Sequence, residues 1–214
     1  MTNTAFTKAD YTLLEEQTAY QGFFSLAKLR LKHKLFAGGW TPSINRELFI
    51  RGQAVGLLAY DPWLDQVVMV EQFRVGALQD PTSPWLLEVI AGMIEAGEEA
   101  EGVAHRETQE EAGLTILHLE HLYTYYSSPG GSDEQILLYL GIVDSSQVKD
   151  GTLCGLATEN EDLRVRLLSR EAALKEATQG RAANSMSLIA LQWLALNHQQ
   201  LKKAWSKHPA PKPV

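Results

Sequence analysis

The stretch Gly92–Leu114 reads GMIEAGEEAEGVAHRETQEEAGL. It sets Glu107, Glu110 and Glu111 within about one helical turn, just ahead of Gly113, a natural helix stop. The i, i+3, i+4 spacing puts their carboxylates on one face, where like charges repel. They also occupy the last turn, where the helix dipole favours cations. Each effect costs roughly a few tenths of a kcal/mol or more per group. A solvated face would set the acids opposite the apolar stripe. Instead Ala100, Val103 and Ala104 lie seven, four and three residues before Glu107, on its own side of the helix. The stripe that faces the protein runs directly into carboxylates. Inward acids need partners, and an oxygen-only set suits a hard divalent cation such as Mg²⁺ or Mn²⁺.

The surrounding chain has 214 residues, 45% hydrophobic and 21% charged, with a net charge of −7. That describes one globular domain with a small appended unit and excludes any overall attraction to nucleic acid. The lone Cys154 rules out an internal disulfide and reads as a small buried residue in a reducing compartment. No segment approaches the roughly 20 apolar residues of a membrane span. The first residues lack the order of a signal peptide, so a cytoplasmic protein with no membrane partner is expected.

KLRLKHKL (28–35) alternates Lys28, Arg30, Lys32 and Lys34 with Leu29, Leu31, His33 and Leu35, which predicts a strand with one wet face. The rest of residues 1–44 shows no decisive pattern. Strands are predicted at 47–52, 54–60, 66–74, 85–92, 118–126, 134–143 and around 163–168, separated by turns such as DPWLD and DPTSP. Helices are predicted at 99–112, at 169–180 with Ser169 as cap, and from near Asn184 onward. Many strands with three helices, not regularly alternating, predict an α+β fold.

Gly92, Glu98, Arg106-Glu107, Glu110-Glu111 and Gly113-Leu114 together resemble the Nudix box of hydrolases that cleave nucleoside diphosphates linked to another group. One usually aliphatic position holds Thr108, whose methyl can still pack. The resemblance implies a Nudix α/β/α sandwich with a small N-terminal β-rich segment contributing to a dimer. The expected division is residues 1–50 for dimerisation, 51–206 for the hydrolase domain and 207–214 for a flexible tail. It implies Glu107 and Glu111 as metal ligands, with Glu110 and the carbonyl of Ala91 beside them. Arg106 is expected to brace the cluster and Glu98 to fix the loop. Mg²⁺ or Mn²⁺ is implied as cofactor, two or three ions per site.

SSPGGSDE (127–134) places Pro129 sixteen residues after Gly113 and resembles the subfamily of ADP-ribose pyrophosphatases. Its Pro-Gly-Gly reads as a rigid bend followed by permissive backbone. ATENEDLRV (157–165) resembles that subfamily's late acidic loop, implying Glu159 as catalytic base and Glu161 as a further metal ligand. GFFSL, RELFIRG, EQFR and WLLEVIAGMI extend the likeness over nearly the whole chain. They imply substrate contacts from Phe23, Phe24, Arg46, Glu47, Arg51, Arg74, Met93, Ser128, Pro129, Gly130 and Glu134, with Glu88 in support. Phe23 and Phe24 are expected to reach the adenine from the partner copy of a homodimer with shared active sites. Aromatic stacking and arginine forks suit a purine and a diphosphate. The expectation is metal-dependent hydrolysis of ADP-ribose to AMP and ribose 5-phosphate. A diphosphatase for another nucleotide sugar such as GDP-mannose is the nearer alternative, and a catalytically silent ADP-ribose-binding regulator the more remote one.

Overall fold

A computed structural model describes residues 6–156, 158 and 160–210. Contacts divide the chain into two compact units, one of residues 1–52 with 126–135, the other of residues 53–125 with 136–214.

The first unit is a three-stranded antiparallel sheet of β1 (Tyr11–Gln21), β2 (Ser25–His33) and β3 (Ile44–Ile50), in that order. β2 is the alternating lysine-leucine strand. Its basic face meets acids: Arg30 reaches Glu15 at 2.9 Å, Lys34 reaches Asp10 at 2.7 Å, and Lys28 stands opposite Glu47. Arg30 and Lys34 are therefore paired with acids of the same unit. β1 carried no legible strand signal because all eleven of its residues are exposed, so neither face needed an apolar rhythm. Two register irregularities, at Leu13/Glu15 and Thr18/Tyr20, disturb the alternation further.

The second unit holds an eight-stranded sheet in the order β10-β11-β5-β4-β9-β8. Its strands are β4 (Gln53–Asp61), β5 (Gln66–Phe73), β6 (Trp85–Glu88), β7 (Ile90–Met93), β8 (His118–Tyr126), β9 (Gln135–Ile142), β10 (Leu153–Cys154) and β11 (Leu163–Ser169). β4 and β5 pair only near their hairpin, over Ala59–Asp61 and Gln66–Val68. Beyond it, β7 pairs with β4 and β6 with β5. The run at 85–92, expected as one strand, is split at Val89, whose N–H donates to Ser187 Oγ (3.0 Å). That single diverted hydrogen bond lets the chain cross from one strand partner to the other.

The sheet buries an apolar cluster on each face. Val55, Leu57, Val68, Val70 and Ile90 pack with Val103, Ala104 and Ala112 of α1 (Ala100–Ala112). Leu58, Tyr60, Val67 and Met69 pack with Ala173 of α2 (Arg170–Gln179) and Ala190, Leu191 and Leu194 of α3 (Ser185–Trp205). One helix on one face and two on the other make the expected sandwich. The predicted helix ends are present. Ser169 Oγ accepts from Ala172 N–H, Asn184 Oδ1 accepts from Ser187 N–H, and Gly113 stops α1 at φ +66°.

Asn184 does two things at once. Beyond capping α3, its Nδ2 donates to Glu88 Oε1, and Glu88 is only 2% exposed. Asn184→Ala removes the cap and leaves a buried carboxylate oxygen short of a donor, a loss of about 1–3 kcal/mol. Urea denaturation should show a lower midpoint with an unchanged slope.

Candidate active site

The acidic helix α1 begins beyond a tight loop. Glu98 Oε2 accepts from Glu95 N–H (2.9 Å), while Arg106 reaches back to Glu98 (3.3 Å). The same guanidinium, through Nη1, contacts Glu107 Oε1 (2.9 Å) and Glu110 Oε2 (3.1 Å). One arginine thus spans three carboxylates and tethers the loop to the helix.

Glu107 and Glu111 turn inward from there. Glu111 is 2% exposed, and its Oε2 accepts from Ala91 N–H (3.2 Å) at the end of the sheet. Gly92 lies directly against the Glu107 carboxyl, and a Cβ at position 92 would overlap it. Only glycine leaves room for that carboxylate beside β7. Thr108, also fully buried, donates its hydroxyl to the Ala104 carbonyl (2.7 Å), so the departure from an aliphatic residue leaves no orphan polar atom.

Burial is the main force on these acids. It raises Glu107 to about 7, opposed by Arg106 and reinforced by Glu110 and Glu161. Burial likewise pushes Glu111 well above the usual carboxylate range, with Glu107 and Glu161 adding repulsion, while the Ala91 N–H and Arg74 lower it. Glu161 and Arg74, distant in sequence, therefore bring their charges to the acidic end of α1.

A family model described as the NUDIX domain matches residues 50–189. The chain belongs to the NUDIX family. It is 48% identical over 205 residues to an ADP-ribose pyrophosphatase of Haemophilus influenzae, covering 94% of each chain. Against an ADP-ribose pyrophosphatase of Escherichia coli (strain K12) the identity is 45% over 201 residues, 94% of this chain and 95% of the other. A GDP-mannose pyrophosphatase of Escherichia coli O1:K1 / APEC is 29% identical over 154 residues, 72% of this chain and 78% of that one. A crystal structure of an ADP compounds hydrolase superposes with a TM-score of 0.62 over 90% of this chain and 98% of the other, at 19% identity, which supports the shared fold.

The other NUDIX residues singled out in the sequence fall into separate groups. Arg74 donates through Nε to Glu88 Oε2 (2.7 Å), so Glu88, held on its far side by Asn184, fixes the guanidinium. Met93 closes β7 opposite Ala54. Glu161 Oε2 accepts from Leu156 N–H (3.2 Å). Glu159 lies outside the described residues. Among the described residues, no three His, Cys, Asp or Glu side chains already stand as a ready metal cluster. Glu107 and Glu111 turn inward side by side at this end of α1, and the charge of Glu161 acts on both.

In the first unit, Arg51 lies over the Phe24 ring at 4.5 Å, and its Nε contacts Glu134 Oε1 at 2.9 Å. Phe23 packs edge-on against Phe24 yet is 87% exposed, whereas Phe24 is half-buried against Phe49 and Arg51. The Ser128–Glu134 loop pairs with β3: Phe49 N–H donates to the Gly131 carbonyl and Asp133 N–H to that of Phe49. Pro129 and Gly130 are exposed on its turn, which Ser128 closes by accepting from Gly131 and Ser132 N–H. Neither Gly130 nor Gly131 has positive φ, so the bend does not draw on glycine's special backbone freedom as expected. Arg46 and Glu47 instead line a concavity of about 580 Å³ with Glu15, Gln17, Lys28 and Arg30.

The raised acids carry a testable sign. Both folded pKa values lie above the unfolded ones; the stabilising contribution of Glu107 is complete below about 4.5 and is lost as pH rises through about 7. In chelator-treated protein the thermal midpoint should fall across that window. Added Mg²⁺ should raise it more at pH 8 than at pH 5, because a cation binds the deprotonated acids.

Proposed function

We propose that this chain is a divalent-metal-dependent hydrolase that cleaves the diphosphate of ADP-ribose to AMP and ribose 5-phosphate. The observation that carries the reading is the inward pair Glu107 and Glu111, one turn apart, with Glu111 buried at 2% exposure. Repelling carboxylates in that position destabilise the protein unless a cation is their partner. The donor set fits one: hard carboxylate oxygens, the Ala91 backbone against Glu111, and a glycine that makes room. Both near-full-length relatives bear the name ADP-ribose pyrophosphatase, whereas the GDP-mannose relative is more distant.

Glu107, Glu111 and Glu161 would hold Mg²⁺ or Mn²⁺, two or three ions, with Glu110 and Ala91 alongside; bound there, the metal supplies charge neutralisation and a more acidic water. Arg106 keeps Glu107 and Glu110 aimed, and Glu98 ties that arginine to the loop. Arg74, fixed by Glu88, offers a rigid cation to a phosphate. Glu159 takes the proton from the attacking water, whose oxygen bonds to one phosphorus as the bridging P–O bond breaks. The second phosphate leaves with that electron pair. No covalent protein intermediate is required. Phe23, Phe24, Arg46, Glu47, Arg51, Met93, Ser128, Pro129, Gly130 and Glu134 contact the nucleotide sugar. A homodimer with shared sites and a cytoplasmic setting belong to the same proposal, and among the described residues no helix is long and apolar enough to cross a membrane.

The test offers ADP-ribose and GDP-mannose side by side with Mg²⁺ and measures AMP and GMP. ADP-ribose should be turned over faster, a chelator should abolish the reaction, and Glu107→Gln should lower kcat by about 100-fold or more. Near-normal turnover by Glu107→Gln would sink the metal-ligand assignment. A preference for GDP-mannose would retain the chemistry and discard the substrate. Arg74→Ala should act mainly on KM, raising it about tenfold with a smaller change in kcat.

A further inference from the structure

We propose that Gly155 is a positioning residue for Glu161, and through Glu161 for the metal-binding end of the active site. The inference rests on the reading of Glu161 as a metal ligand given above. Gly155 adopts φ +104°, a backbone conformation that side-chain-bearing residues rarely take. A Cβ there would stand 2.9 Å from Glu161 Cβ, 3.1 Å from its carbonyl oxygen and 3.2 Å from its carbonyl carbon. Two of those atoms are backbone and the third is fixed to it. None can swing aside like the end of a flexible side chain.

The chain around this contact is closed on itself. Cys154 pairs with Leu163 across β10 and β11, which pins both ends of the connection that carries Glu161. Just beyond, Arg164 grips Glu71 at 2.7 Å and 3.0 Å, so the start of β11 cannot slide. Between these anchors Glu161 and Leu156 clasp each other. Glu161 N–H donates to the Leu156 carbonyl (3.2 Å), and Leu156 N–H donates to Glu161 Oε2 (3.2 Å). Gly155 precedes Leu156 directly, and its unusual φ together with its missing Cβ lets Leu156 fold back onto Glu161. A methyl group at 155 stands against Glu161 Cβ and the Glu161 carbonyl.

Gly151 supplies the matched control. It too has positive φ, +85°, but a Cβ there meets nothing within 4 Å. Gly151→Ala therefore introduces backbone strain without displacing the acid.

The experiment is a calorimetric titration of the full-length protein with Mn²⁺, a readout independent of turnover. Gly155→Ala should weaken Mn²⁺ binding about tenfold or more, as loss of a group that orients a ligand does. Gly151→Ala should stay within about twofold of the unaltered protein, although both alanines lower the thermal midpoint. The double variant Gly155→Ala/Glu161→Gln should bind no more weakly than Glu161→Gln alone, since both changes act on one carboxylate. If Gly155→Ala binds Mn²⁺ normally while Glu161→Gln does not, positioning by Gly155 is overturned and the ligand role stands. Full additivity in the double variant overturns it as well. If Glu161→Gln binds normally, the ligand role of Glu161 fails and takes the inference with it. Should Gly155→Ala not fold, Glu161→Asp replaces it: the charge stays but the shorter side chain loses its reach to Leu156 N–H. Weakened Mn²⁺ binding then supports the clasp, and normal binding overturns it.

Discussion

The buried carboxylate of Glu111 is the constraint around which the second unit is arranged. A charge this far from water is tolerated only where the surroundings answer it. Within the chain the answer is partial: one N–H from Ala91 and the more distant charge of Arg74. Glu107 and Glu161 work against it. The β4/β5 hairpin that splays to admit β6 and β7, the diverted bond at Val89 and the absent Cβ at Gly92 all serve to bring the sheet end close to α1. The local structure is built at a cost in stability that a bound cation would offset.

Around that centre the protein spends its arginines on orientation. Arg106 gathers Glu98, Glu107 and Glu110; Arg74 is set by Glu88, which Asn184 holds from α3. On β5, in the interior of the sheet, Arg164, Arg166 and Arg181 converge on Glu71. Most of these pairs are only half-buried, so each adds little stability by itself. Their effect is geometric, since a planar guanidinium with several fixed donors holds a carboxylate in one direction.

Much of this was legible in the residues. The helix, its acids and its glycine stop lie within one local stretch, and local spacing decides which side chains share a face. Most strands from Gln53 onward announced themselves through their apolar residues, whereas β10, two residues long, is too short to show a rhythm. β1 did not, because a fully exposed strand needs none. The single run at 85–92 hid its break, because a backbone N–H diverted to Ser187, some hundred residues later, leaves no mark on the local pattern. Gly155 was passed over for a similar reason: its importance lies in a contact with Glu161, and neither local rhythm nor charge points to it.

What the sequence determined by itself was therefore the local chemistry: an acidic helix end with a metal-suited donor set, a periodicity for most elements, and the family they belong to. What only the tertiary structure decided was reach. It brings Arg74 and Glu161 near the box, assigns Glu88 to Arg74 and Asn184, and gathers Arg46 and Glu47 into a concavity with Glu15 and Lys28. Spacing along a chain constrains neighbours within a turn or a strand. Contacts between residues far apart depend on how the sheet splays and where its connections are pinned, and those follow from packing summed over the whole unit.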